Sequence, residues 1–478
     1  MEKHILSKST FIRGTQCLKS LYLNKKRPFL RNRLSDAQRA VFKRGTDVGL
    51  LAQQLFPGGT DMKPHSPALY RKKVAETMDI IRHNSHNTLY EATFQYDRLL
   101  VLLDILVKGN NGWLAYEVKS SLKISETFLL DAAFQYYVIT HSGVELDDFF
   151  LVYIDADYRR EETLSIDQLF VKQSVLEEVR ARQPYIEEQI EKSKEALNAT
   201  SSPKISIGTR CRNPYPCDFS GHCWKKVAEN SLLYLDAFDE NERFDKYYAG
   251  KDIPEKPEPG QWSLLQKIQF TSAKDKRLVA QKEELNTFIA RYLDSPAMVS
   301  VLFVKPAVPY LKNTKPYQLV PIAAITGATP GSTVQSELFI QAENPLESFN
   351  VYFRKLLSTH RNIVTYDKTE IMNYFKENAD SDLIDAAENK FVDFAHLFRE
   401  GFLFHYLIRG EYTPENIARI FLKENATELS PALLGMRWQR KLFEQSHGFS
   451  DLEEETSEFM RKSLAFYFDF ANYLRGNY

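Results

Sequence analysis

Two carboxylates and a lysine carry the strongest chemical signal in this chain. Asp104 is a lone acid inside the apolar run LLVLLDILV. Glu117-Val118-Lys119 closes a second alternating run after the turn Lys108-Gly109-Asn110-Asn111-Gly112. A carboxylate set among apolar side chains needs a cation or a hydrogen-bond donor to offset its desolvation. Residues two apart on a strand point to the same face, so Glu117 and Lys119 share one, and a hairpin can bring Asp104 beside them. Such a set suits phosphodiester hydrolysis. Two carboxylates hold Mg²⁺ or Mn²⁺, the ion polarises the phosphate and acidifies a water, and the lysine orients or deprotonates that water or stabilises the developing charge. An acid-x-Lys triplet alone is common, and its weight comes from the combination with Asp104 across a hairpin. Glu91, at the head of the preceding strand, is a further candidate metal ligand, with an exposed strand end as the plain alternative. The helix beyond adds Asp131 and Gln135, and Gln135 is a candidate partner for the lysine or for a phosphate.

The cysteines form a second constellation. The chain has four, Cys17 near its start and Cys211, Cys217 and Cys223 in TRCRNPYPCDFSGHCW, spaced Cys-x5-Cys-x5-Cys. Structural zinc sites more often use closer pairs, and thiolates also hold four-iron four-sulfur clusters, at times with one ligand distant in sequence. The ligand types favour a [4Fe–4S] cluster over zinc, for which His222 would be a further donor. Unligated buried cysteines are the third reading.

These residues must be positioned by regular elements. The sequence predicts a helix over 66–82, strands over 90–96, 98–107 and 113–119, a helix over 126–141, a buried strand over 149–155 and a long charged helical stretch over 165–198. The order describes a small α/β core. Residues 1–50 are locally basic (Lys19, Lys25, Lys26, Arg27, Arg31, Arg33, Arg39, Lys43, Arg44), which reads either as a solvated surface or as a phosphate-contacting face. The segment GKDIPEKPEPGQW (250–262) reads as linker, giving a first domain over 1–230, a linker over 231–262 and a second domain over 263–478.

Composition bounds the partners. Lys plus Arg number 62 against 63 for Asp plus Glu, a net charge of -1. No whole-chain basic footprint is present, which argues against a passive nucleic-acid coat but not against a local basic groove. The first residues carry no apolar signal core and no long apolar run follows, so the expectation is a cytoplasmic protein without membrane contact. There structural disulfides are disfavoured and cysteines serve as ligands.

On Cys17, Asp104, Glu117-x-Lys119, Gln135 and the Cys211/Cys217/Cys223 group, residues 1–230 resemble the RecB/AddB-like PD-(D/E)XK nucleases that carry an iron–sulfur cluster. The phrases RGTDVGLLAQQLFPGG, YEATFQYDRLLVLLDIL, YEVKSS and LDAAFQYYVI are similar to a bacterial family that joins such a nuclease half to a DEDD-type RNase-H-like exonuclease domain. The resemblance implies an α/β fold, a PD-(D/E)XK restriction-endonuclease-like core followed by an RNase-H-like α/β domain. It implies metal ligands at Asp104 and Glu117, a catalytic Lys119, a supporting Gln135, and one [4Fe–4S] cluster on the four cysteines. The expected activity is that of a metal-dependent deoxyribonuclease, with exonuclease action on single-stranded DNA ends favoured. The alternative is a non-catalytic nucleic-acid- or protein-binding scaffold built on a nuclease fold.

The chain departs from the pattern in places. Many relatives carry a metal-binding His in the first helix after a Gly, whereas here the stretch is Arg44-Gly45-Thr46-Asp47-Val48-Gly49, with Asp47 as the candidate substitute. Tyr136 and Tyr137 follow Gln135 directly, earlier than in many relatives. The strand that bears an Asp-x-Glu pair in relatives corresponds to MVSVLFVKPAVPYLKNTKPYQ (298–318), which has no acid in its strand. Asp393, Asp367 and Glu370 remain as acids of that half, and Asp469 is out of step with the pattern. Without its first two carboxylates a DEDD site cannot hold two metals. The second domain is therefore expected to be folded but catalytically inactive, and used for substrate or partner contact.

Overall fold

The apolar runs around Asp104 and Glu117 form the centre of an open sheet. A computed structural model describes residues 5–252, 262–328, 335–340, 344–366, 368–424, 431–444 and 449–478. They build mixed α/β structure in two compact units, one of residues 1–225 with 307–316, the other of 226–306 with 317–478.

The first unit holds strands β1 (Leu6–Ser7), β2 (Thr60–Asp61), β3 (Thr88–Tyr96), β4 (Leu99–Lys108), β5 (Trp113–Lys119), β6 (Leu146–Ile154) and β7 (Phe170–Ser174). Its helices include α1 (Lys8–Gln16), α2 (Leu18–Lys26), α3 (Asp36–Ala52), α4 (Tyr70–His83) and α5 (Glu126–His141). The sheet runs β2-β3-β4-β5-β6-β7, with β1 paired to β4 outside that path. β3, β4 and β5 are successive antiparallel neighbours, and β5 and β6 run parallel.

The β4–β5 ladder is short. It joins Ile105–Lys108 to Trp113–Tyr116 and stops there. Beyond Tyr116, β5 stays with β6, where Glu117 faces Leu151 and Lys119 faces Tyr153. The opposite end of β4 pairs with β1, Leu6 to Leu99 and Ser7 to Leu100. β4 and β5 thus diverge as a fork, and β1 leads directly into α1 at Lys8.

Helix α1 is held by packing on both sides. Thr10 Oγ1 accepts the Ser7 N–H at 2.7 Å and closes the first turn. Phe11 is buried and stacks on Phe134 of α5 with ring centroids 4.3 Å apart. Gly14 permits close approach to the helix Gln183–Asn198, since a Cβ there would lie 2.8 Å from Ser193 Oγ. Leu103, Leu106, Phe94, Phe149 and Leu151 fill the core beneath the sheet.

Two expectations need correction. The stretch 165–198 contains the edge strand β7, antiparallel to β6, between short helices. Only Phe170 of β7 is buried, and its polar remainder suits a solvated edge, so composition reads it as charged helix. Residues 231–252, placed in the linker, form a turn at Leu232–Tyr234 and a helix at Glu240–Tyr248, with Leu232, Leu233, Leu235 and Phe238 buried. The apolar residues of LLYLDAF drive that burial. Residues 253–261 of the expected linker lie outside the described residues.

The second unit has a five-stranded sheet in the order 335–340, 320–328, 297–304, 363–365, 391–393. The first three strands are antiparallel neighbours, and the last two run parallel to 297–304 and to each other. The helix Ser450–Asn477 buries Met460, Leu464, Tyr467, Ala471 and Leu474. No helix among the described residues is long and apolar enough to cross a membrane.

Candidate active site

The fork between β4 and β5 gathers the chemistry. Where the ladder ends, Asp104 replaces it with its side chain, and Oδ2 accepts the Val118 N–H at 2.7 Å. Glu117, only 2% exposed, points into the same space. Its Oε1 accepts from Lys119 Nζ at 2.8 Å. Lys8 Nζ reaches the same carboxylate from the start of α1, 2.8 Å from Oε1 and 3.0 Å from Oε2. Lys8 Nζ also lies 3.9 Å from Asp104 Oδ1. Lys119 is closed from the other side by an ion pair with Asp131 of α5. Lys8 and Lys119 both hold Glu117, Lys8 lies near Asp104 and Lys119 pairs with Asp131, which makes a cluster of five charged side chains.

Their mutual fields split the carboxylates. Burial and the Glu117 charge push Asp104 up to about 7, against the pull of Lys8, Lys119 and the Val118 N–H. Burial would also raise Glu117, but Lys119 and Lys8 together outweigh it and hold this carboxyl well below the usual range. Burial raises Asp131 despite Lys119. Burial opposes charge on both lysines, yet Glu117 and Asp104 keep Lys8 protonated and Asp131 and Glu117 keep Lys119 protonated, each above its ordinary value.

The other candidates are placed differently. Gln135 is fully buried one turn beyond Asp131, and neither its Oε1 nor its Nε2 has a hydrogen-bond partner. The partner of Lys119 on this helix is Asp131, because position 131 lies over the end of β5. Glu91 carries a positive φ of 52° and gives its carboxylate to Lys63 Nζ at 3.0 Å. Asp47 is exposed on α3 and pairs with Lys43. Of the other basic residues, Arg39 lies 3.7 Å from Asp36, and Val41, Phe42 and Phe29 are exposed nearby in sequence. Sequence reasoning misses Lys8: a lysine in LSKSTF shows no periodic or motif signal, and only the pairing of β1 with β4 brings it to the fork.

The four cysteines, none in a disulfide, line one small cavity of about 20 Å³ together with Ser20 and Phe219. Burial pushes the Cys17 and Cys223 thiols up. Salt bridges tie the two ends together, with Arg13 and Arg31 converging on Asp218 at 2.6 and 2.7 Å. Gln16 Nε2 donates to the carbonyls of Arg210 and Tyr215, each at 2.7 Å. His222 is exposed and does not line the cavity. Among the described residues, no three His, Cys, Asp or Glu side chains are gathered tightly enough to hold one metal ion.

In the second unit, Asp393 is buried, with Oδ1 accepting the Ala395 N–H at 2.9 Å and Arg399 3.5 Å from Oδ2. Glu370 pairs with Lys305 at 3.3 Å. Asp469 is exposed on the last helix, and the buried position two residues earlier is Tyr467, whose ring lies edge-on to Phe394 at 6.3 Å. Asp367 lies outside the described residues. The chain matches no protein-family model and no curated protein.

Proposed function

We propose that this protein is a metal-dependent nuclease that hydrolyses phosphodiester bonds of DNA, with single-stranded ends as the favoured substrate, and that Cys17, Cys211, Cys217 and Cys223 hold a structural [4Fe–4S] cluster. The observation that carries the reading is the fork. It holds Glu117, a hard oxygen donor, 2.8 Å from the ammonium of Lys119, with the carboxylate of Asp104 3.9 Å from Lys8 in the same cluster. The unpartnered amide of Gln135, buried one turn from Asp131, adds polar capacity that the protein alone leaves unused. Mg²⁺ or Mn²⁺ bound by Asp104 and Glu117 would polarise the scissile phosphate and lower the pKa of a water. Asp104 is the more accessible ligand, its side chain 24% exposed. Glu117 is kept ionised by its two ammonium partners. Lys119, held protonated between Asp131 and Glu117, is suited to orient the attacking water and neutralise charge on the phosphate rather than to act as a base.

The thiol site fits a cluster better than a lone zinc. Zinc gathers four donors on one ion, whereas a cubane gives each thiolate its own iron. Four cysteines around one shared cavity, a donor set made of thiolates alone, support the second. Cluster formation would join residue 17 to the segment 211–223. Anaerobically purified protein should be brown, with absorbance near roughly 400 nm. For the second unit, three antiparallel strands followed by two parallel ones support an RNase-H-like fold. The acid-free strand 297–304 and the inward Tyr467 support a binding role without catalysis.

The test is cleavage of labelled single- and double-stranded DNA with Mn²⁺, for wild type and Lys119→Ala. The wild type should cut and the variant should lose about 10²-fold or more. Cleavage that survives the substitution removes Lys119 from the chemistry. The second reading, a non-catalytic scaffold, is favoured by Lys8, which occupies both oxygens of Glu117. DNA binding without cleavage in either metal would support it.

A further inference from the structure

Lys8 stands where the two proposed metal ligands converge. Its Nζ contacts both Glu117 oxygens at 2.8 and 3.0 Å and lies 3.9 Å from Asp104. The placement is built in by the backbone. β1 enters the fork beside Leu99 and Leu100, and α1, anchored by Phe11 on Phe134, begins with this residue. A divalent ion that takes both carboxylates must therefore take Glu117 from Lys8.

Charge balance links that exchange to the substrate. Counted formally, the three carboxylates Asp104, Glu117 and Asp131 against the two ammonium groups of Lys8 and Lys119 give the cluster a net charge of -1. A divalent cation added alone brings it to +1, an unfavourable excess in a half-buried site. A phosphodiester brings one negative charge and returns the sum to zero. Without Lys8 the cluster starts at -2, and the cation alone balances it.

We propose that Lys8 is an internal competitor that makes divalent-metal binding depend on the simultaneous arrival of a phosphodiester: the ammonium leaves Glu117 as the cation arrives and pairs with the incoming phosphate. The inference rests on the nuclease reading and adds to it a means of keeping the site closed until substrate is present. Lys119 cannot substitute for Lys8, because Asp131 holds it from the opposite side. Metal and phosphate then strengthen each other's binding by the same factor, as linkage requires.

The experiment titrates Mn²⁺ into the full chain and follows free Mn²⁺ by electron paramagnetic resonance, alone and with a single-stranded phosphorothioate oligonucleotide. Wild type should bind weakly alone and at least about fivefold more tightly with the oligonucleotide, the lower end of ordinary coupling. An uncharged methylphosphonate oligonucleotide should give no such gain. Lys8→Met should bind Mn²⁺ at least about fivefold more tightly than wild type without any oligonucleotide and gain little from it. Lys8→Arg should keep the wild-type pattern. Lys8→Gln, uncharged but still a donor to Glu117, should behave as Lys8→Met and serves if that variant does not fold. Equal Mn²⁺ affinity in wild type and the uncharged variants, unmoved by the oligonucleotide, would overturn this inference and leave the nuclease reading standing. Absence of Mn²⁺ binding in every protein, with and without oligonucleotide, would overturn both.

Discussion

The backbone N–H of Val118 donates to Oδ2 of Asp104 at 2.7 Å, so one carboxylate both ends a strand ladder and faces the site. The β4–β5 ladder stops at Tyr116, and Asp104 supplies the acceptor that the next stretch of β4 no longer offers. Structural and chemical roles of this residue can therefore be separated. Asp104→Ala leaves the Val118 N–H unpaired and should cost about 1–3 kcal/mol, while Asp104→Asn keeps an acceptor and should cost well under half of that. Both should lose about 10²-fold or more in Mn²⁺-dependent cleavage. Urea unfolding beside the cleavage assay checks this, and equal destabilisation by the two variants would show that the Val118 bond contributes nothing.

The same residue sets a pH dependence. Burial and Glu117 push Asp104 up to about 7, whereas an unfolded Asp titrates near roughly 3.9. Between those values the folded protein binds more protons than the unfolded one, so this group's contribution is fully present below about pH 4 and is lost as pH rises toward 7. The side chain is 24% exposed, so about 2 kcal/mol is expected, roughly half of the full linkage value. Metal-free wild type should lose stability against Asp104→Asn by that amount between pH 4 and 7. Glu117 works in the opposite sense: its carboxyl is lowered, so its contribution is lost as pH falls. Melting temperatures of the pair across this range provide the measurement, and a constant difference would refute the assignment.

How much of the site is legible in the sequence depends on the range of each contact. Asp104, Glu117 and Lys119 lie on adjacent strands of one hairpin, where period and turn chemistry set the geometry, and the apolar pattern gives those strands nearly to the residue. Asp131 and Gln135 share a helix face, but only the height of α5 over β5 decides which of them meets Lys119. Lys8 is 109 positions from Glu117, and no local signal announces it. The edge strand β7 is hidden by its polar side chains, which solvent covers as readily as it does a charged helix. The cysteines are the reverse case, because scarcity and spacing single them out though Cys17 lies far along the chain from the other three.

Gln135 offers a test of reserved polar capacity. Its amide oxygen and nitrogen are buried without partners, a state that costs about 1–3 kcal/mol for each such group. Gln135→Met keeps the volume and removes both polar atoms. Thermal unfolding of the metal-free protein should show a gain of about 1–2 kcal/mol, together with reduced cleavage. That trade is expected of a residue retained for its chemistry. A loss of stability in this variant would mean that the amide is already satisfied in the native protein, and its assigned role would fall.

The thiol site can be probed through a residue that carries no sulfur. Asp218 adjoins Cys217 and receives both Arg13 from α1 and Arg31, at 2.6 and 2.7 Å. Arg13 also donates to Ser20 Oγ at 3.1 Å, so the aspartate helps fix the α1–α2 junction on which Cys17 sits. Removing it strands a largely buried guanidinium, which should cost about 1–3 kcal/mol, below the 3–5 of a fully buried pair because Arg31 is partly solvated. Asp218→Ala should still take up iron and sulfide when reconstituted anaerobically, since all four thiols remain. Its absorbance near roughly 400 nm should decay severalfold faster in air than that of wild type, because the segments bearing Cys17 and Cys217 are less firmly joined. Cys17→Ser should instead lose most of the absorbance from the outset. Identical decay in Asp218→Ala and wild type would show that the thiols alone hold the two ends together.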